Sequence, residues 1–285
     1  MIKLNNKGSI LAMVLWIIAV LALFSLAVSR VTWTLSYYTE WKMSKVRAYY
    51  VFHNLVERSK IDIKNGSLND AQIGIEQEIY ENDKEEGLKT KYTIYDEEAK
   101  LNINHMPENL IEELPGMSFR DGEKINEYEL KPFSVLEEIT LALGNITEFK
   151  IDDLRPLLTV YGSGKVNINN VSSEVLDVMG LHESLIDDII EVRLGSDGKK
   201  GTLDDIIFDE SSGIIEDLKE HAGISTTQEA EIMKLISKGL FGTTTKHYRI
   251  EASIYRYDKL IDNYSAVIGP AKNKNTITIL EWHRS

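Results

Sequence analysis

The chain has 285 residues and a mass of 32.4 kDa; its 43% apolar and 27% charged side chains exclude wholesale disorder and allow two ordinary cores. The 45 acids against 32 bases give a net charge of −13 and a pI near 5.0, which suits a nucleic-acid surface poorly, because phosphate binding needs clustered Lys and Arg. Cysteine is absent, so disulfides, thiolate zinc sites and a cysteine nucleophile are excluded.

The charge is unevenly placed. Residues 1–30 carry Lys3, Lys7 and Arg30 and no acid, while the other 255 residues hold 29 bases and 45 acids. That division points to a membrane anchor ahead of an acidic, water-soluble body. Within residues 10–28, ILAMVLWIIAVLALFSLAV, Ser25 is the only polar side chain. A helix of that length spans about 28 Å, close to a bilayer core of ~30 Å. Its Leu, Ile, Val and Phe residues gain roughly 4–7 kcal/mol on insertion, with no charge opposing them. Lys3 and Lys7 keep the amino end cytoplasmic and export the rest; Arg30 weakens this asymmetry without reversing it.

Three readings of this start compete. A buried core helix fits badly with so continuous an apolar run behind a basic start. A removable secretory signal would have a shorter apolar region of ~7–15 residues, with Leu26-Ala27-Val28-Ser29 as its cleavage site. In the third, the short basic leader of residues 1–8 stops at Gly8, immediately before the apolar helix, an arrangement that resembles type IV prepilins. The next segment favours the third. Residues 30–64 contain neither proline nor glycine, and Val31, Leu35, Tyr38, Val46, Tyr49, Phe52 and Val56 step mostly by three and four. They predict one long helix over 9–64 whose second half covers a sheet.

A short helical stretch is expected at 69–80, then a charged turn at 82–87. Residues 88–95 alternate as a strand, Asp96-Glu97-Glu98 turns, and 100–104 supplies a second strand. Residues 105–240 read as short helices between Pro and Gly breaks. Strand character returns at 247–255, 258–268 and, after a turn at Gly269-Pro270, 275–282. Strands flanking a helical block predict an α+β fold: a long N-terminal helix packed on a small antiparallel sheet (65–104 plus 245–285), with a helical domain (105–244) inserted between strands.

The inserted block contains an echo. Leu101-Asn102-Ile103-Asn104 and Val166-Asn167-Ile168-Asn169 each precede a helix start with an Asn or Ser cap and a Glu in the first turn. The second copy continues into a segment, 166–195, that resembles the helix-hairpin-helix of DNA-binding proteins. Its turn, Met179-Gly180-Leu181-His182, lacks the second glycine, and Glu183, Asp187 and Asp188 stand where phosphate would sit, against Arg193. The shape is expected and nucleic-acid binding is not.

No enzyme motif stands out. His53, His105, His182, His221, His247 and His283 are scattered, and there is no H-E-x-x-H or G-x-S-x-G. Gly162-Ser163-Gly164-Lys165 fails as a phosphate loop, because Thr159 replaces its first glycine and Val166 its magnesium-binding hydroxyl. A non-enzyme is expected.

Several elements together resemble the K-type minor pseudopilins of type II secretion systems, the GspK family, over nearly the whole chain. They are the leader ending at Gly8, Met13 at the fifth mature position, residues 131–138 (KPFSVLEE), 156–162 (PLLTVYG) and 166–169. The closing segment runs from Tyr248-Arg249-Ile250-Glu251-Ala252 to Leu280-Glu281-Trp282. The resemblance implies cleavage after Gly8 by a prepilin peptidase and Ser9 as the mature amino terminus and candidate for N-methylation. It also implies a single-pass cytoplasmic-membrane protein, with its soluble part periplasmic or extracellular, at the tip of a short pseudopilus. Its partners would be other minor pseudopilins or pilins. In ordinary pilins the fifth-position carboxylate is explained as pairing with a neighbour's terminal ammonium. A chain with Met13 there cannot form that pair, which suits a tip subunit. Family members bind calcium in acidic loops. The candidate here, residues 195–210 with Asp197, Asp204, Asp205 and Asp209, does not match the calcium-loop spacing, so no cofactor is expected. Two alternatives stay open: a minor tip pilin of a type IV pilus, and a membrane-anchored nucleic-acid receptor using 166–195.

Overall fold

The structure, a computed structural model, describes residues 6–68, 72–80, 88–144, 150–271 and 276–284. The first five residues of the leader and the expected turn at 82–87 lie outside the described residues. The first 51 residues form one compact unit and Phe52 to Ser285 a second.

Helix α1 runs from Asn6 to Lys64, 59 residues, because nothing between Ser9 and Asn65 breaks it. From Ser9 to Met43 every residue is exposed, including Val31, Leu35 and Tyr38; Val46 and Tyr49 are exposed too. The stripe expected to cover a sheet is therefore shorter than its sequence pattern. In the second unit it consists of Phe52, Leu55 and Val56, all buried. Phe52 is fully enclosed, stacked on Tyr264 at 5.1 Å between ring centres and edge-on to Trp282 at 4.8 Å. Each such ring pair adds about 0.5–1.5 kcal/mol beyond area burial.

The sheet has five antiparallel strands in the order β1-β2-β7-β8-β9: β1 (Gln77–Tyr80), β2 (Leu88–Asp96), β7 (Tyr248–Arg256), β8 (Lys259–Pro270) and β9 (Ile277–Arg284). Its register aligns Ile94 with Ile250 and Ile250 with Ala266, so alternate side chains enter one buried face. Two expectations are corrected here. Residues 77–80, read as helical, form β1, because pairing with Lys89–Tyr92 of β2 outweighs a weak local preference. Gly269-Pro270 lies within the end of β8, opposite Thr278 and Ile277, and is strand where a turn was expected.

Between β2 and β7 the described residues build the same succession twice: strand, four helices, strand. The first module is β3 (Leu101–Asn102), α2 (Glu108–Ile111), α3 (Phe119–Asn126), α4 (Glu138–Leu143), α5 (Ile151–Leu154) and β4 (Leu158–Thr159). The second is β5 (Val166–Asn167), α6 (Ser173–Val178), α7 (Glu183–Leu194), α8 (Ile214–His221), α9 (Thr226–Ser237) and β6 (Phe241–Gly242). In each, the opening strand pairs in parallel with the closing strand. The strand expected at 100–104 thus belongs to a module and not to the main sheet. One hydrophobic core, from Leu101 to Phe241, serves both modules.

The repeated asparagines carry this likeness to atomic detail. The Asn102 and Asn167 side chains accept from the backbone N–H groups of Asn104 (2.9 Å) and Asn169 (3.1 Å). Asn104 brackets Phe133, accepting from its N–H and donating to its carbonyl at 2.9 Å; Asn169 does the same to Phe208 at 3.0 Å. Both amides also reach the residue after the closing strand, Val160 or Thr243. The expected helix caps differ: Ser172 caps α6, whereas Pro107 precedes α2 without a side-chain cap.

Candidate functional site

The anchor helix carries three of the residues singled out from sequence. Gly8 lies within α1, Ser9 is exposed, and Met13 is 67% exposed among uninterrupted apolar neighbours. The segment is long and apolar enough to cross a membrane, and none of its apolar surface is covered by the protein. Its length and composition are compatible with a single-pass membrane span.

Helices α6 and α7 are joined by a turn in which Gly180 has φ +82°. Two of its backbone donors, at His182 and Ser184, bind side chains of the chain itself. The His182 N–H donates to the Glu231 carboxylate at 3.2 Å, which takes the place a phosphate would need. Ser184 N–H donates to His182 Nδ1, and Asp188 accepts from the Gln228 amide at 2.7 Å. Arg193 turns inward, donating to the Val171 carbonyl at 2.7 Å, and burial lowers its pKa to about 10. Leu181 packs in the core. Within the chain, the hairpin makes packing contacts to the shared core.

In the acidic loop the carboxylates turn to donors of their own chain. Asp204 accepts from Ser196 Oγ (2.8 Å), Thr202 Oγ1 (2.7 Å) and the Asp197 N–H (3.1 Å), which together hold it well below the usual carboxylate range. Asp197 accepts from the Lys199 N–H, and Asp205 from the Gly201 N–H, both at 2.7 Å. Asp209 is exposed apart from them. Among the described residues, no group of three or more His, Asp or Glu side chains is arranged to hold a metal ion.

The residues that sequence reasoning undervalued are Asp96, Glu97 and Glu98. They do turn the chain, as a short 3-10 segment, yet all three are buried, at 4%, 1% and 6% exposure. Each binds a different part of the molecule. Asp96 accepts from the amides of Asn167 (2.7 Å) and Asn170 (3.2 Å), on the second module. Glu97 pairs with Arg249 of β7 and with Lys100. Glu98 meets His247 Nδ1 at 2.9 Å and the Lys246 N–H at 2.8 Å, and its other oxygen receives the Ser163 N–H at 3.3 Å. The loop at 162–165 that resembles a phosphate cradle therefore holds the protein's own carboxylate.

Burial pushes these three acids up and their partners pull them down. For Asp96 burial wins, raising its pKa to about 6. For Glu97 the Lys100 and Arg249 charges win, and for Glu98 the His247 side chain and backbone donors win, so both fall below the usual range. The arrangement ties the sheet to both modules. A signal was present in the sequence: Lys246, His247 and Arg249, at the start of β7, complement the three acids at the end of β2.

No family model matches the chain, and no curated protein matches it in sequence. Solved structures do. A chain in the crystal structure of the GspK-GspI-GspJ complex from the enterotoxigenic Escherichia coli type 2 secretion system aligns with a TM-score of 0.51. The alignment covers 85% of this chain and 98% of that one, at 10% identity. A match over 85% of the chain shows the fold: a pilin-like arrangement of a long amino-terminal helix, an antiparallel sheet and further helices, shared with a chain of that complex.

Proposed function

We propose that this protein is a minor pseudopilin, a structural tip component that helps initiate assembly of a type II secretion pseudopilus. The observation that carries this reading is the shared architecture over 85% of the chain with a component of a pseudopilin assembly, joined to an exposed apolar helix at the amino end. In this role prepilin peptidase cuts after Gly8. Ser9 becomes the mature terminus and the candidate for methylation. Residues 10–28 hold the protein in the cytoplasmic membrane with Lys3 and Lys7 on the cytoplasmic side. Met13 offers a neighbour no carboxylate, which suits a terminal position in a filament, and the two modules between β2 and β7 add bulk that a shaft would accommodate poorly. Other minor pseudopilins, like those named in the matching complex, are its partners.

The test is the mass of the protein produced with and without a prepilin peptidase. Loss of residues 1–8 is the expected result. A cut near residue 29, or no cut under conditions that process a control prepilin, rejects the class.

A further inference from the structure

Where the second module meets the sheet, a lysine, an asparagine and a buried acid stand in line. Lys200 Nζ donates to Asn170 Oδ1 at 2.7 Å, and Asn170 Nδ2 donates to Asp96 Oδ2 at 3.2 Å. These contacts fix the amide's orientation, because turning it over would set N–H against the ammonium and oxygen against the carboxylate. Lys200 and Asn170 are half-buried and Asp96 is buried. The backbone closes in from a further side: a Cβ added at Gly74 would stand 3.8 Å from Lys200 Nζ. All of them line one cavity of about 490 Å³, whose walls include Ile73, Ala99 and Leu136. The repeat itself does not call for this asparagine, since the matching position of the first module holds His105, which is exposed.

The line holds the parts for an amide exchange. With an acceptor angle of about 120°, the 2.7 Å contact to Oδ1 leaves Nζ roughly 3.5 Å from the amide carbon, the separation of a near-attack pair. Apolar walls favour the neutral amine, the form in which a lysine is a nucleophile. At Asp96 burial outweighs the hydrogen bonds and raises the pKa to about 6, so this carboxyl can carry a proton and pass it on.

We infer that Lys200 and Asn170 condense into an intramolecular isopeptide bond, with Asp96 as the acid that protonates the departing nitrogen. Solvent takes the first proton from the Lys200 ammonium. The Nζ–Cγ bond forms and the carbon becomes tetrahedral. Nδ2, released from amide resonance, turns from donor to acceptor and takes the Asp96 proton. The Cγ–Nδ2 bond then breaks, ammonia leaves through the cavity, and Asp96 recovers a proton from Nζ. In sum, ammonium and carboxamide become a secondary amide and an ammonium ion, so no oxidant, reductant or cofactor enters. The bond ties the 195–205 loop to the residues just beyond β5, 30 positions away, a covalent brace in a chain with no cysteine for a disulfide. The chain supplies its own comparison. Lys131 Nζ donates to Asn126 Oδ1, also at 2.7 Å, yet among the described residues no acid receives that amide, and this pair should stay open.

The test is intact mass and tryptic mapping of the full folded chain beside Lys200→Arg, which keeps the charge and removes the amine. The native chain should weigh about 17 Da less than its sequence, one ammonia, and Lys200→Arg should show no deficit. Trypsin should fail to cut after Lys200 and leave its peptide joined to the one that holds Asn170. Asp96→Asn, with its fold checked by circular dichroism, should lack the joined peptide, and Asn126 and Lys131 should stay separate in every form. A native chain of full mass overturns the inference. So does a loss of ammonia confined to the Asn170 peptide, the mark of a succinimide, or a gain of about 1 Da there, the mark of deamidation. A joined peptide in Asp96→Asn overturns the part given to Asp96; should that variant not fold, the comparison with Lys200→Arg still decides the bond. Masses are compared for whichever amino terminus the protein carries, so the result is independent of cleavage after Gly8.

Discussion

The backbone N–H of Phe208 donates to Asn169 Oδ1 at 2.8 Å, a contact closed between residues 39 positions apart. The same asparagine amide donates to the carbonyls of Phe208 and Thr243, so one buried side chain satisfies three backbone groups from separate segments. Asn169→Ala should therefore cost about 2–4 kcal/mol, since it leaves buried polar groups unpaired. Asn104→Ala, at a half-buried site that water reaches more easily, should cost less. Urea unfolding of both variants checks this, read as a lowered midpoint with an unchanged slope.

At the junction, Asp96 has a folded pKa of about 6 against an ordinary value of 3.8. An acid raised on folding contributes stability below its unfolded pKa, and that contribution is lost as pH rises through the folded value. The loss amounts to roughly 3 kcal/mol, falling between about pH 4 and pH 6. Asp96→Asn should be less stable throughout, because it sets an amide donor against the amides of Asn167 and Asn170. It should also lack this pH dependence. Urea midpoints at pH 4.5, 5.5 and 6.5 for both proteins separate the two effects; parallel curves would refute the assignment.

Glu97 has the opposite sign. Its folded pKa is lowered, so its contribution is present above the ordinary value of 4.5 and lost as pH falls through the lower folded value. Arg249→Met removes one of its two cations and leaves the carboxylate buried beside Lys100 alone. A cost of about 3–5 kcal/mol at pH 7 is expected, shrinking below pH 4.5 as Glu97 takes up a proton. The double variant Glu97→Leu, Arg249→Met should recover most of it. Denaturant titrations at pH 7 and pH 4 measure both changes.

The readable parts of the sequence were those with a long or regular pattern. Residues 10–28 announce a span by composition alone, and the alternation in 88–95 and 247–255 places β2 and β7 to within about a residue at each end. The paired Asn runs were visible, but not their purpose, because what each side chain brackets lies 29 or 39 residues further on. Asp96-Glu97-Glu98 reads only as a turn for the same reason: apart from Lys100, the partners cited here stand about 70 to 150 positions away, and only the complementary charges of Lys246, His247 and Arg249 point to them. Residues 77–80 became a strand only because β2 was there to pair with.

Two glycines of the α6–α7 segment separate conformational strain from steric obstruction. Gly180 and Gly195 both have positive φ, +82° and +63°, where a side chain is strained. A Cβ at Gly180 would meet open space, whereas one at Gly195 would drive into the backbone carbonyl of Asp204. Gly180→Ala should thus cost only about 1–2 kcal/mol, the penalty of the left-handed region. Gly195→Ala must also push the 195–205 loop aside and break the Asp204 contacts to Ser196 and Asp197, so a cost of about 3 kcal/mol or more is expected. Thermal melts rank the two, and hydrogen exchange at the Asp197 amide should rise selectively in Gly195→Ala. If Gly180→Ala proved the more damaging, the turn would be answering to some contact other than its own backbone, and the packing role assigned to the hairpin would fail with it.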